Sequence, residues 1–146
     1  MLFRSVIRTL NSASTLKPVL EATRLSPEDQ LIVVDSGSTD GTLELARQHR
    51  AQIIPIRAAD FSYGRALNVG FAEAKHPWVL ALSSHTVPVR DSFLNLYRRG
   101  IREQFSPRVA AAVGPLLMSE FDSTLPGGIT YFEQGDFRKE IGRAHV

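Results

Sequence analysis

The sequence predicts an α/β fold of three layers, α/β/α, with helices covering both faces of a mainly parallel sheet. Two observations predict it. Short apolar runs of strand length recur from Phe3 to Val113, and the stretches between them carry apolar residues at helical spacing. Strands that alternate with helices return through right-handed crossovers, which sets successive strands parallel in one sheet.

Phe3 to Arg8 reads as the first strand. Leu16 to Thr23 follows as a helix with Leu16, Val19 and Leu20 on one face, and Pro18 is compatible with it only in the first turn, where its missing N–H has no partner to lose. Gln30 to Asp35 contains Leu-Ile-Val-Val, the continuous apolar run of a strand covered on both faces. Thr42 to His49 reads as a helix, Ala51 to Arg57 as a strand, and Arg65 to Lys75 as a helix with Leu67, Phe71 and Ala74 at helical spacing. Trp78 to Ser83 is a further buried strand. Asp91 to Phe105 is a longer helix with Phe93, Leu94, Tyr97 and Ile101 on one side, and Val109 to Val113 a fifth strand.

With 146 residues and 43% hydrophobic content, one core and one domain spanning 1–146 are expected. Within it, 1–118 reads as the ordered core; Pro126-Gly127-Gly128 breaks the pattern, and periodicity is weak over 119–146. The 17 Lys and Arg against 15 Asp and Glu leave a net charge of +2, too small and too scattered for a nucleic-acid footprint but suited to a small anionic ligand. Absence of Cys excludes disulfides and cysteine-based metal sites and makes a reducing compartment, the cytoplasm, the expectation. Met1 to Leu10 lacks a signal-peptide pattern because Arg4 and Arg8 interrupt its apolar residues, and the longest apolar run, Val109 to Met118, is about half the length of a membrane span.

Parallel sheets of this kind bind ligands beyond the carboxyl ends of their strands. That rule selects Thr9-Leu10-Asn11, Asp35 to Thr42, Asp60 to Asn68, and Ser83 to Pro88. In the second segment Thr39 or Asp40 fits as an N-cap for the helix near Thr42, and Gly37 and Gly41 relax the turn. Asp35 ends its strand, is not needed as a cap, and could accept a hydrogen bond from a ligand base. Arg65 sits at a helix start, where an always-charged guanidinium suits phosphate, although a solvated surface charge, the common state of Arg, is the reading that position alone favours. Gly64 and Gly70 suggest close packing. Trp78 and most Phe residues read as core, whereas Phe61, Tyr63 and Tyr131 fall in loops and could stack on a ring. Gly-x-Gly-x-x-Gly, Walker, Gly-x-Ser-x-Gly and His-Glu-x-x-His patterns are all missing, which weakens dehydrogenase, kinase-like, esterase and zinc-protease readings.

Three of these segments together resemble one family. Val6-Ile7-Arg8-Thr9-Leu10-Asn11, then Ile32-Val33-Val34-Asp35-Ser36-Gly37-Ser38-Thr39-Asp40-Gly41-Thr42, then Asp60-Phe61-Ser62-Tyr63-Gly64-Arg65-Ala66-Leu67-Asn68-Val69-Gly70 are similar, in order and spacing, to the opening motifs of family-2 glycosyltransferases with the GT-A fold. The resemblance implies a nucleoside-diphosphate sugar as donor, with Thr9 and Asn11 lining the nucleotide pocket, Asp35 reading a uracil or thymine base, Arg65 near base or diphosphate, and Asn68 nearby, although a cap or brace for the adjoining loops is the simpler reading of Asn68. It also implies transfer with inversion to an acceptor hydroxyl of a saccharide or lipid-linked saccharide, as in polysaccharide biosynthesis at the inner membrane surface.

The chain departs from the family at the fourth segment. Members commonly hold a divalent cation, Mg or Mn, with Asp-x-Asp; here Ser83-Ser84-His85 stands instead. Hydroxyls and an imidazole are poor partners for a hard cation, so metal dependence is in doubt. Ser83 and His85 remain donor-site candidates, with His85 either a lone metal ligand, a donor to a phosphate oxygen, or a loop brace. No residue fits the family's catalytic base, and the resemblance leads us to expect a chain that stops before it. The competing reading is a non-catalytic nucleotide-binding or protein-interaction module on the same fold.

Overall fold

The computed structural model describes residues 3–75, 78–88, 93–104, 109–113 and 130–133. The chain divides into two compact units, Met1–Leu94 and Asn95–Val146.

The first unit runs β1 (Arg4–Thr9), α1 (Ala13–Thr23), β2 (Gln30–Asp35), α2 (Thr42–Gln48), β3 (Gln52–Pro55), a 3-10 turn (Ala58–Asp60), α3 (Tyr63–Ala72) and β4 (Val79–Ser83). Its four strands lie in the order β3-β2-β1-β4, every neighbouring pair parallel. β1 and β2 are the inner strands, and both faces of β2 are covered by helices, which is why its Leu31-Ile32-Val33-Val34 run is continuous rather than alternating.

Successive side chains along a strand point to opposite faces, and two core clusters follow from that alternation. Ile7, Leu31, Val33 and Leu82 pack with Leu16, Val19 and Leu20 of α1 and Ala46 of α2. Val6, Ile32 and Val34 pack with Ala66 of α3 on the other face, supported by Leu67, Val69 and Val79. The predicted three layers are therefore present, with α1 and α2 on one side and α3 on the other.

Gly70 sets the distance between α3 and the sheet. A Cβ there would lie 2.3 Å from Val6 Cγ1 and 3.2 Å from Val34 Cγ2, so only glycine lets the helix lie this close. A Cβ at Gly64 would meet open space, so close packing does not explain that glycine.

Several local expectations are corrected. α1 starts at Ala13 rather than Leu16, which places Pro18 beyond the first turn. The earlier start has a tertiary cause: the Ala13 N–H donates to Asp40 Oδ2 at 3.0 Å, and the Ser12 carbonyl accepts from Thr15 and Leu16. Pro18 is exposed, so water can satisfy the carbonyl that its missing N–H leaves free. The second correction concerns β5 (Val109–Val113), which pairs antiparallel with β6 (Thr130–Glu133). No amphipathic helical stretch follows β5 in the sequence, so no crossover imposes a parallel partner. Tyr131, expected in a loop, belongs to β6, and Tyr63 is the first residue of α3. Near the boundary of the units, α4 (Phe93–Arg99) continues into a π-helical turn (Gly100–Gln104), covering the described part of the long helix expected there. The expected 119–146 region lies outside the described residues apart from β6.

Gly70→Ala is expected to destabilise the fold by about 1–3 kcal/mol through overpacking against Val6. Gly64→Ala, in an open helical position, should instead be neutral or stabilise by up to about 1 kcal/mol. Urea unfolding midpoints of the two variants check the contrast.

Candidate functional site

The parallel register brings the strand ends into line. Thr9 pairs with Asp35, Asp35 with Pro55, and Arg8 with Ser83, so the loops after all four strands leave the same carboxyl edge. At this edge the loops 9–12 and 36–42 are joined by a dense set of hydrogen bonds built on two carboxylates.

Asp35 is buried, at 2% exposure, and each of its oxygens accepts two hydrogen bonds. Oδ1 accepts from the hydroxyls of Thr9 (2.8 Å) and Ser38 (2.5 Å). Oδ2 accepts from the backbone N–H groups of Gly37 and Ser38, both at 2.9 Å. Burial alone pushes this carboxyl up, but the Ser38 side-chain and backbone donors, Thr9 and Gly37 outweigh it and hold Asp35 below its ordinary value. Gly37, at φ +108°, gives the loop the turn that presents its N–H to that oxygen.

Asp40 does the equivalent work at the helix starts. Oδ2 takes the Ala13 N–H of α1, while Oδ1 takes the Thr42 N–H at 3.1 Å and the Thr42 hydroxyl. The Thr42 hydroxyl oxygen in turn accepts from the Ser12 N–H at 2.8 Å. Gly41, at φ +91°, occupies the N-cap position of α2, so the carboxylate reaches back from one residue earlier. The Thr42 hydroxyl first and then the Ala13 N–H draw the Asp40 carboxyl below its usual range. Asn11 completes the junction from a left-handed backbone, φ 47°, that Asn tolerates better than most residues. Its Oδ1 accepts from the Thr39 N–H at 2.9 Å, and its own N–H donates to Ser38 Oγ at 2.8 Å.

This arrangement changes the reading of Asp35. A carboxylate has about four acceptor positions, and Thr9, Gly37 and Ser38 already use them. The base-reading role expected of Asp35 requires it to give up one of those donors, whereas its role in holding the loop requires nothing further. The sequence did not reveal Ser38 and Asp40 as loop ties beyond a general capping signal at Asp40.

The remaining candidates lie toward the α3 layer. Ser62 caps α3 by accepting from the Arg65 N–H at 3.1 Å, which fixes Arg65 in the first turn. The Arg65 side chain is 59% exposed, with Nη1 3.6 Å from Asp60 Oδ1, and Arg57 Nε bonds the other oxygen of Asp60. Asn68 is exposed on α3. Ser83 Oγ lies 3.1 Å from Nδ1 of the exposed His85 ring, and Ser84 is buried. Arg8, which the motif reading passed over, sits beside Ser83 in the register, and its guanidinium lies 4.6 Å from the centroid of the Tyr63 ring. A charged residue next to last in a strand, directly after the apolar pair Val6-Ile7 and before the motif residue Thr9, was the available signal. Thr9 and Asp35 thus face the α1 and α2 layer, while Arg8 and Ser83 face α3; the loops bearing Asp35, Arg65 and His85 share an edge, and Asp35 does not share a face with Ser83.

The segment Ser83-Ser84-His85 offers one imidazole, already bonded to Ser83, and no carboxylate. Among the described residues no group of three or more His, Asp or Glu is placed to hold a metal ion. These residues do not make a site for a hard divalent cation. An open depression of about 420 Å³ lies elsewhere, at the amino edge, between Leu25 to Leu31 and Gln48 to Gln52. It carries none of the motif residues.

A four-stranded parallel sheet in the order β3-β2-β1-β4, with helices on both faces and polar loops gathered at the carboxyl edge, is the arrangement of the GT-A glycosyltransferases. The family model for glycosyl transferase family 2 matches residues 5–106, and the chain belongs to that family. Among solved structures, the chain is similar to Staphylococcus aureus TarS 1–349, with a TM-score of 0.62 at 23% identity over 70% of this chain and 33% of that one. It is also similar to the Mycobacterium tuberculosis glucosyl-3-phosphoglycerate synthase in complex with UDP, with a TM-score of 0.61 at 23% identity over 77% of this chain and 43% of that one. The chain therefore spans less than half the length of either. TarS has been solved with UDP-GlcNAc, and the mycobacterial enzyme with Mn2+, UDP and glucosyl-3-phosphoglycerate. No curated protein matches the chain. Among the described residues no helix is long and apolar enough to cross a membrane.

Asp35→Asn is expected to cost about 1.5–3 kcal/mol at neutral pH, because an amide nitrogen replaces one oxygen of a charged acceptor. Since the Asp35 carboxyl is depressed in the folded protein, its contribution is complete above the ordinary value of 3.8 and is lost as pH falls through the depressed one. Denaturant titrations of both proteins should show the gap at pH 7 and its narrowing on acidification below about pH 4; a gap independent of pH would contradict the assigned role.

Proposed function

We propose that the chain supplies the donor-binding part of an inverting glycosyltransferase, taking a nucleoside-diphosphate sugar with a uracil or thymine base at the carboxyl edge. The observation that carries this reading is the junction of loops 9–12 and 36–42, held by Asp35, Asp40 and Asn11. It commits a buried carboxylate, Asp35, an exposed one, Asp40, and two glycine turns to shaping an exposed polar edge rather than to closing the core. UDP and UDP-GlcNAc in the similar structures support the choice of ligand class.

In this reading Thr9 and Asn11 border the nucleotide, and Asp35 holds their loop in shape. Arg65, fixed in the first turn of α3 and largely exposed, meets the diphosphate, with Asn68, Ser83 and His85 along the same edge. Transfer is displacement at the anomeric carbon: the acceptor oxygen forms its bond as the bond to the diphosphate breaks, and the acceptor's proton passes to a base. Charge gathers on the departing diphosphate, so fixed donors aimed at it lower the barrier. We assign the base to none of the described residues. Residues 1–118 form the nucleotide-sugar-binding core, and 119–146 begin the acceptor side. The acceptor is a saccharide or lipid-linked saccharide in polysaccharide biosynthesis, and the place of work is the cytoplasm, at the inner membrane surface.

Titration calorimetry with UDP and dTDP should give saturable binding, and Arg65→Ala should weaken it by about three- to tenfold, a modest loss because the guanidinium is solvated and shared with Asp60. Lack of affinity for every nucleoside diphosphate tested would overturn the proposal; binding indifferent to Arg65→Ala would remove Arg65 from the site and favour a binding module of another kind.

A further inference from the structure

We infer that Arg8 is a diphosphate-binding residue, supplying from β1 the positive charge that Ser83-Ser84-His85 does not recruit as a metal ion. The inference rests on the nucleotide-sugar reading and names a residue for that same site.

Arg4 and Arg8 lie four residues apart on the α3 side of one strand; each leaves its Nε buried without an acceptor, but they differ in what the rest of the guanidinium meets. Arg4, at the amino edge, is 2% exposed, and its Nη1 donates to the Glu73 carbonyl at 3.0 Å, so it ties α3 to the sheet. Arg8, at the carboxyl edge, is half-buried and has neither a hydrogen bond nor an ion pair among the described residues. Its Nε is buried without an acceptor. Among the described residues its side chain meets the face of Tyr63, 4.6 Å from ring centroid to guanidinium carbon, and Tyr63 is braced edge-on by Phe61 at 5.4 Å.

A stacked guanidinium keeps its N–H donors in a plane and unused. Leaving charged donors partly buried without acceptors is costly, and an anion arriving at the edge removes that cost. The ring fixes the orientation of the fork, which suits paired phosphate oxygens better than a flexible ammonium does. Arg8 also stands beside Ser83 in the register, and Ser83 bonds His85. Together they place a cation, a hydroxyl and an imidazole side by side where no carboxylate is available to hold a metal. The ligand class this fits is a pyrophosphate group bound directly by protein donors.

The test uses the full chain, titrated with UDP in excess EDTA and again in Mg2+ or Mn2+. The expected result is UDP affinity equal within about twofold in the two buffers, displacement of UDP by inorganic pyrophosphate in EDTA, and at least a tenfold loss in Arg8→Gln. Arg8→Lys, which keeps the charge and loses the fork, should recover part of the loss. It also serves as the readout should Arg8→Gln fail to fold. Binding by the unaltered chain that disappears in EDTA, or UDP affinity unchanged in Arg8→Gln or Arg8→Lys, overturns the inference while leaving the nucleotide reading intact. Lack of UDP binding by the unaltered chain in both buffers overturns both.

Discussion

The Asp35 carboxylate and its four donors are the interaction on which the carboxyl edge depends. It stands at the end of a buried strand, where an unpaired charge would be strongly unfavourable, and the loop that follows folds back to surround it. Two of the donors are backbone N–H groups and two are hydroxyls from different loops. The same contacts that stabilise the charge therefore fix the path of residues 36–38 and tie it to the end of β1. Asp40 repeats the logic one turn later, joining the starts of α1 and α2. A surface loop that would otherwise be free to move is thereby given a defined shape before any ligand arrives, which reduces the ordering cost of binding.

On the opposite face, α3 approaches closely because Gly70 lets it. That approach brings the first turn of α3, with Tyr63 and Arg65, to the edge where Arg8 and Ser83 emerge. The two faces have different electrostatic characters. On the α1 and α2 side Asp35 is saturated by internal donors and Asp40 accepts three, while guanidinium groups on the α3 side are stacked, solvated or shared. An anionic ligand lying over the edge would meet carboxylates engaged by internal donors on one side and available cations on the other.

Much of this was legible in the sequence, and the reasons are specific. The Leu-Ile-Val-Val run announced a strand buried on both faces, and the alternation of strands and helices announced the parallel sheet and the carboxyl edge at which its polar loops gather. What local pattern could not supply were effects set by distant groups. The start of α1 is drawn back to Ala13 by Asp40, 27 residues away in the chain. The saturation of Asp35 depends on Thr9, 26 residues earlier. β5 was legible as a strand but not in its pairing, since antiparallel addition of β6 depends on a segment with weak periodicity. Arg8 is one of several polar residues in β1 and the sequence does not set it apart; the register beside Ser83 and the contact with Tyr63 do.

The claim that the carboxyl edge is the ligand site is tested most directly by mapping amide chemical-shift changes on the isotopically labelled chain as UDP is added. The account predicts that the shifts concentrate in residues 9–12, 36–42, 60–65 and 83–85. Changes centred instead on the amino-edge depression between Leu25 and Gln52 would contradict it.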